Sequence, residues 1–186
     1  RETIDLRGRS ILLKGRDGAD KTILDGTGLG DSVIRCVTAE GPGTVIEGLT
    51  ITGGSGHEGL SKAGLTLGGG ILALGSSPTF RKCVISGNRA TLNGGGAYIG
   101  ASSRIRFDEC SFVSNEAEKG GGVLCASSKP VFIQCTFEKN EASYAGGALH
   151  ASVDSEPVLR SCAMIGNQAA FNGGAVCSMR SAGAVL

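Results

Sequence analysis

Phe107-Asp108-Glu109-Cys110-Ser111-Phe112-Val113-Ser114-Asn115-Glu116-Ala117-Glu118-Lys119-Gly120-Gly121-Gly122 is the stretch on which the fold turns. Its landmarks return on both sides. Phe80-x-x-Cys83-x-Ile85-x-x-Asn88 precedes it, while Phe132-x-x-Cys135-x-Phe137-x-x-Asn140 and Leu159-x-x-Cys162-x-Met164-x-x-Asn167 follow. Two residues beyond each Asn stands an alanine: Ala90, Ala117, Ala142, Ala169. Glycine clusters keep time with these columns. Gly68-Gly69-Gly70, Gly94-Gly95-Gly96, Gly120-Gly121-Gly122, Ala145-Gly146-Gly147 and Asn172-Gly173-Gly174 recur at steps of 26, 26, 25 and 27. Self-similarity at a fixed period of this size marks a stacked-repeat architecture.

The period selects strands. A helical repeat needs apolar residues at 3.6 spacing over ten or more positions, and glycine would break it. Here Phe132, Cys135 and Phe137 lie in two short extended stretches divided by a bend. Strands of this kind returning after one period form the rungs of an all-β, single-stranded right-handed parallel β-helix. Six rungs and a partial seventh, paired in parallel at about 4.8 Å, make a rod section of roughly 30 Å.

Towards the amino terminus the pattern degenerates. Gly48-Leu49-Thr50-Ile51-Thr52-Gly53 and Lys21-Thr22-Ile23-Leu24-Asp25-Gly26 place Leu24 and Ile51 in the column of Ile85, Phe112, Phe137 and Met164. Gly54 stands where Asn is expected, and 34 residues separate Ile51 from Ile85. One domain is therefore expected over residues 1–186, with degenerate rungs in 1–67, an insertion near 55–67, and regular repeats in 68–186. The chain opens in a strand-like pattern at Ile4 and Leu6 and stops inside a repeat at Leu186, so it reads as a piece of a longer one.

Each column has a physical role. Phe80, Phe107, Phe132 and Leu159, with Ile85, Phe112, Phe137 and Met164, should stack inward as a continuous core. Cys83, Cys110, Cys135 and Cys162 suit a narrow interior as small, soft hydrophobes. Asn88, Asn115, Asn140 and Asn167 should form an amide ladder that satisfies buried turn backbone. After the glycines, the larger column Leu72, Tyr98, Leu124, Leu149 and Val176 is expected to face inward rather than the smaller Ile71, Ala97, Val123, Ala148 and Ala175. Facing outward, it would be a docking stripe.

Composition excludes several classes. Glycine is abundant at 32 residues, but its placement is not collagen-like, and the many Val, Ile, Leu and Phe residues argue against disorder. With 18 basic and 17 acidic residues and no basic stripe, no nucleic-acid partner is expected. No membrane span is readable in the fragment.

The Gly146 to Leu149 turn, with Phe112-Val113-Ser114-Asn115 and Phe137-Glu138-Lys139-Asn140, resembles the GGA-I/FxxN repeats of chlamydial polymorphic outer-membrane proteins, within the wider pectin-lyase-like superfamily. The likeness covers Gly68 to Leu186, with Ile85 and Met164 replacing Phe. Thr44 to Ile51 looks like the amino-terminal coils of secreted β-helix proteins. The resemblance implies a secreted or surface-exposed passenger, often adhesive. The expected function is thus a non-catalytic structural or interaction module, either an adhesin-like passenger or a scaffold subunit of a larger assembly. Its open ends expose strand edges, which a protein partner or flanking chain should cap.

The alternative is a polysaccharide-processing enzyme: a lyase, hydrolase or epimerase. It needs carboxylates, with or without Arg/Lys, on the outer face of adjacent rungs or in the insertion. One outward column reads Arg81, Asp108, Ile133, Arg160, its neighbour Val84, Ser111, Thr136, Ala163. Asp108 and Glu109 face Arg81 and Lys82 one rung earlier, which fits solvated cross-strand pairs. The insertion carries His57, Glu58 and Lys62, the best place for a grafted site. His150 is placed in the column of Cys125 and Cys177. Asp17, Asp20, Asp25 and Asp31 lack the spacing of a calcium loop, and Thr50-Ile51-Thr52 alone does not make an ice-binding array. The seven cysteines lack zinc-type pairs, and stacked neighbours sit slightly too far apart for disulfides, so Cys83, Cys110, Cys135 and Cys162 are expected to be reduced thiols and Cys125 and Cys177 unpaired, with the state of Cys36 left open. No catalytic residue, metal or cofactor is assigned.

Overall fold

The computed structural model describes residues 3–58, 64–179 and 184–185. Strands of two to five residues wind into a parallel β-solenoid of about six turns. Sheet I comprises Ile4–Asp5, Ile34–Cys36, Ile71–Leu74, Ala97–Gly100, Val123–Cys125, Leu149–Ala151 and Val176–Ser178. Sheet II holds Leu12–Lys14, Val45–Glu47, Thr79–Arg81, Arg106–Asp108, Val131–Ile133 and Val158–Arg160. Sheet III holds Ile23–Asp25, Thr50–Thr52, Val84–Ser86, Ser111–Val113, Thr136–Glu138 and Ala163–Ile165. Neighbours in all three pair in parallel, as a coil advancing one rung per turn requires.

Single left-handed residues make the two corners that flank sheet III. Between sheets II and III stand Gly48, Lys82, Glu109, Gln134 and Ser161, with φ of 66, 48, 52, 51 and 53°. Before the Asn column stand Gly53, Gly87, Ser114, Lys139 and Gly166, with φ of 71, 61, 52, 51 and 61°. One such residue turns the chain sharply, whereas a run of them is sterically costly.

The core fills the tube. Leu13, Ile46, Phe80, Phe107, Phe132 and Leu159 are in register, as are Leu24, Ile51, Ile85, Phe112, Phe137 and Met164. The Phe80–Phe107 and Phe107–Phe132 ring centroids lie 5.1 Å apart, and Phe112–Phe137 lie 5.0 Å apart, all three pairs stacked. The rung spacing imposes this separation.

Two sequence expectations are corrected at the glycines. Gly68, Gly94, Gly120, Gly146 and Gly173 share positive φ, and the Gly121 amide donates to the Gly146 carbonyl at 3.1 Å, as the Gly95 amide does to Gly120. Gly146 and Gly173 therefore match Gly120, one residue later than the spacing suggested, and Ala148 and Ala175 replace the third glycine. The in-register columns are Ile34, Ile71, Ala97, Val123, Leu149, Val176 and Arg35, Leu72, Tyr98, Leu124, His150, Cys177. The first faces the core and the second faces outward, so the expectation that Leu72, Tyr98 and Leu124 point inward fails. A slip of one residue moves a side chain to the opposite face. Size misled here because Leu72 and Leu124 are buried although they lie outside the main core.

Their cover is a fourth sheet. The chain leaving the Asn corner forms Glu116–Lys119, Glu141–Ala145 and Gln168–Ala169 before returning through the glycines. This flank sheet buries Ala90, Ala117, Ala142 and Ala145. The insertion extends it, since His57–Glu58 pairs antiparallel with Thr66–Leu67, and Leu67 bridges to Asn93.

Candidate functional site

The Asn corner is the most regular polar feature. Each amide nitrogen of Asn88, Asn115 and Asn140 donates to the Oδ1 of the next Asn at 3.1, 3.0 and 2.9 Å, ending at Asn167. The same nitrogens donate to the carbonyls of Ile51, Ile85 and Phe112 at 2.9 Å, and Asn167 donates to Phe137 at 2.8 Å. Oδ1 of Asn115, Asn140 and Asn167 also accepts the backbone amide of the preceding Asn at 3.0–3.1 Å. Gly54 closes the ladder by donating its amide to Asn88 Oδ1 at 3.0 Å. Every side-chain amide of the ladder is used internally, so the corner offers nothing to a ligand.

Most of the cysteines are also enclosed by the fold. All seven are free thiols. Cys83, Cys110 and Cys135 are buried, and Cys162 is half-buried. Cys83, Cys135 and Cys162 donate weakly to the carbonyls of Ile46, Phe107 and Phe132 at 3.6, 3.5 and 3.6 Å. Burial pushes the Cys110 thiol well up and the Cys135 thiol up to about 12, and it raises Cys36 and Cys125 too. These four stay protonated at neutral pH, and the thiolate is the reactive form.

A second ladder at the corner between sheets I and II escaped the sequence reading. Ser76, Ser103, Ser128 and Ser155 are all buried. Ser76 Oγ donates to the Cys36 carbonyl at 2.8 Å, Ser103 Oγ to Gly100 at 2.5 Å, and Ser128 Oγ to Ile99 at 2.9 Å. Its signal was present, a serine at a near-constant offset after each glycine cluster, but serine in a turn carries little weight alone.

On the outer face of sheet II, charges alternate rung by rung. Lys14, Glu47, Arg81, Asp108, Ile133 and Arg160 are in register. Lys14 pairs with Glu47 at 2.9 Å and Arg81 with Asp108 at 3.8 Å. Arg106 Nε donates to Asp108 Oδ2 at 2.8 Å, while Asp108 Oδ1 is buried without a partner. Lys82 lies 4.0 Å from Glu109. Val84, Ser111, Thr136 and Ala163 form the expected neighbouring column on sheet III.

At the insertion, His57 Nδ1 meets Asp31 Oδ1 at 2.8 Å, and Arg35 lies 3.6 Å from the same carboxylate. The cluster pins the hairpin to the start of sheet I. Glu58 accepts the Gly64 amide at 3.1 Å. Lys62 lies outside the described residues. His150 is corrected in place: it aligns with Leu124 and Cys177, whereas Cys125 aligns with Ala151. Asp25 accepts the Thr27 amide at 2.9 Å, a local turn bond. Among the described residues, no group of three His, Cys, Asp or Glu side chains is placed to hold a metal ion.

A family model described as a right-handed β-helix region matches residues 35–185. No curated protein and no solved structure matches the chain.

Proposed function

The chain belongs to the right-handed β-helix family, and we propose that this member is a non-catalytic structural or interaction module. One observation carries the proposal: ion pairs on its outer face link side chains of neighbouring rungs. Besides the sheet II pairs, Arg89 meets Glu116 at 3.2 Å and Lys129 meets Glu156 at 2.8 Å. Such solvated pairs add about 0–1 kcal/mol each and chiefly favour the observed register. Each such pair engages a carboxylate that acid–base chemistry on a sugar would need free. The finer likeness to polymorphic outer-membrane protein repeats supports a secreted or surface-exposed passenger. A scaffold subunit uses the same chemistry, with a protein partner or flanking rung covering the terminal strand edges.

A polysaccharide-processing enzyme is the second reading, and Asp108 favours it. Its carboxylate sits between Arg81 and Arg106 with one oxygen unused. The two readings separate by incubating the protein with uronate-rich and neutral polysaccharides and measuring reducing ends and unsaturated-uronate absorbance. The module reading expects no release above background, with cross-links to a copurifying protein mapping to the terminal rungs. Product release abolished by Asp108→Asn would replace it with the enzyme.

A further inference from the structure

His150 breaks the apolar pattern of its column. Its in-register neighbours on the outer face of sheet I are Leu124 and Cys177, with Tyr98 and Leu72 in line beyond Leu124. It is only 2% exposed, with the returning Gly146 turn packed against it and the Lys119 charge of the flank strand acting on it. Gly146 packs directly on it: a Cβ there would meet His150 Cβ at 2.7 Å and Cα at 2.9 Å. His150 Nδ1 is buried without a hydrogen-bond partner.

We propose that His150 is an acid-operated latch: protonating it displaces the Glu141–Ala145 strand and the Gly146 turn from the outer face of sheet I.

The groups around the imidazole give the direction. Lys119 faces it from the flank strand Glu116–Lys119, and Cys177 is its titratable neighbour on the next strand of sheet I. The Glu141–Ala145 strand offers Tyr144, whose ring lies 5.3 Å from the Lys119 ammonium, and Glu141, which is exposed. Burial, then the Lys119 charge, hold the imidazole below its ordinary value. Above that value of 6.5 the closed form keeps its full stability, and it loses stability as pH falls towards the lowered folded value. The imidazolium would be a buried cation beside an ammonium, with an N–H lacking an acceptor.

The flank is the cheaper element to move. The inward neighbours of His150, Leu149 and Ala151, are part of the core cluster, whereas Ala142 and Ala145 lie outside it. Around the latch the flank is held by backbone bonds such as Gly120 to Ala145 at 3.0 Å and Gly146 to Asn172 at 2.9 Å. Opening would wet Leu124 and solvate the imidazolium.

Amide hydrogen exchange at pH 7.5 and 5.0, corrected for intrinsic chemistry, tests the latch. Amides of residues 141–147 and Gly120 are expected to exchange at least about tenfold faster at the lower pH, while those of Asn115 and Phe112 stay protected. His150→Leu, which copies Leu124 in the same column, should abolish the acceleration. The chain has two histidines, so proton NMR can follow each ring in the unmodified protein. His150 should titrate below its ordinary value in step with the exchange. Equal acceleration in His150→Leu, or titration of His150 with no change in flank exchange, overturns the latch.

Discussion

Leu13 and Ile46 occupy in the first two rungs the core column that Phe80, Phe107 and Phe132 fill in the next three. At the opposite corner the early rungs have no asparagine. Their turns are secured by separate bonds: Thr50 Oγ1 to Ala19 at 2.7 Å, Thr44 Oγ1 to Arg9 at 2.7 Å, and Ser32 Oγ to Gly68 at 2.6 Å. The buried Glu40 carboxylate accepts from the Gly8 amide at 2.9 Å, the Thr38 hydroxyl at 2.6 Å and the Thr38 amide at 3.1 Å. The later rungs meet the same needs with one residue type repeated at each position. A solenoid thus requires every core column filled and every corner bonded, but it does not require the same residue to do so.

Substitutions can break that equivalence. The largest effect is expected in the aromatic column, where Phe107→Ala should cost about 3–5 kcal/mol by leaving a void between two stacked rings. Ile46→Ala should fall lower, at about 2–4 kcal/mol. Chemical denaturation of both variants measures the gap, and an equal loss would mean the stacked rings add nothing beyond their volume.

The corner ladder should come next. Asn115→Ala removes the donor to Ile85 and the acceptor of Asn88, for about 2–3 kcal/mol. Gly54→Asn should not extend the ladder. A Cβ at Gly54 would collide with the Gly69 carbonyl oxygen, so destabilisation by about 1–3 kcal/mol is expected, read from the same denaturation curves.

Glu40 sharpens the comparison through pH. Burial pushes its carboxyl up, but the bonds from Thr38 and Gly8 outweigh burial and hold it below the ordinary value. A lowered folded value means the stabilisation is present above the ordinary 4.5 and is lost as pH falls through the folded value. Glu40→Gln should cost about 1–2 kcal/mol at pH 7 and flatten that acid limb, measured by thermal melts from pH 7 to 3. The smallest effect is expected at Ser114, left-handed at φ 52° where Gly53, Gly87 and Gly166 serve other rungs. Ser114→Gly should raise stability by less than about 1 kcal/mol, because relieved strain is partly offset by a freer unfolded chain.

Legibility followed from the same contrast. In the regular rungs, Phe, Cys and Asn at fixed intervals announced their columns, and even Leu24 and Ile51 could be aligned by spacing. The serine corner was passed over because serine is common in any turn, whereas the Glu40 anchor and the Asp31–His57 contact were not found because each joins residues from rungs or loops with no repeated partner.

The sequence by itself determined the period, the parallel coil and the residues that stack from rung to rung, because equivalent positions in a solenoid must satisfy equivalent surroundings. Only the tertiary structure decided which face of sheet I is the core. The inner face is dry, and on the outer face Leu72, Leu124 and His150 are buried too, so hydrophobicity alone cannot distinguish the two. The tertiary structure also aligned Gly146, not Ala145, with Gly120 and set His150 in the column of Leu124, beneath the Gly146 turn. A repeat reports which positions are alike, whereas the direction a side chain takes depends on the chain packed over it.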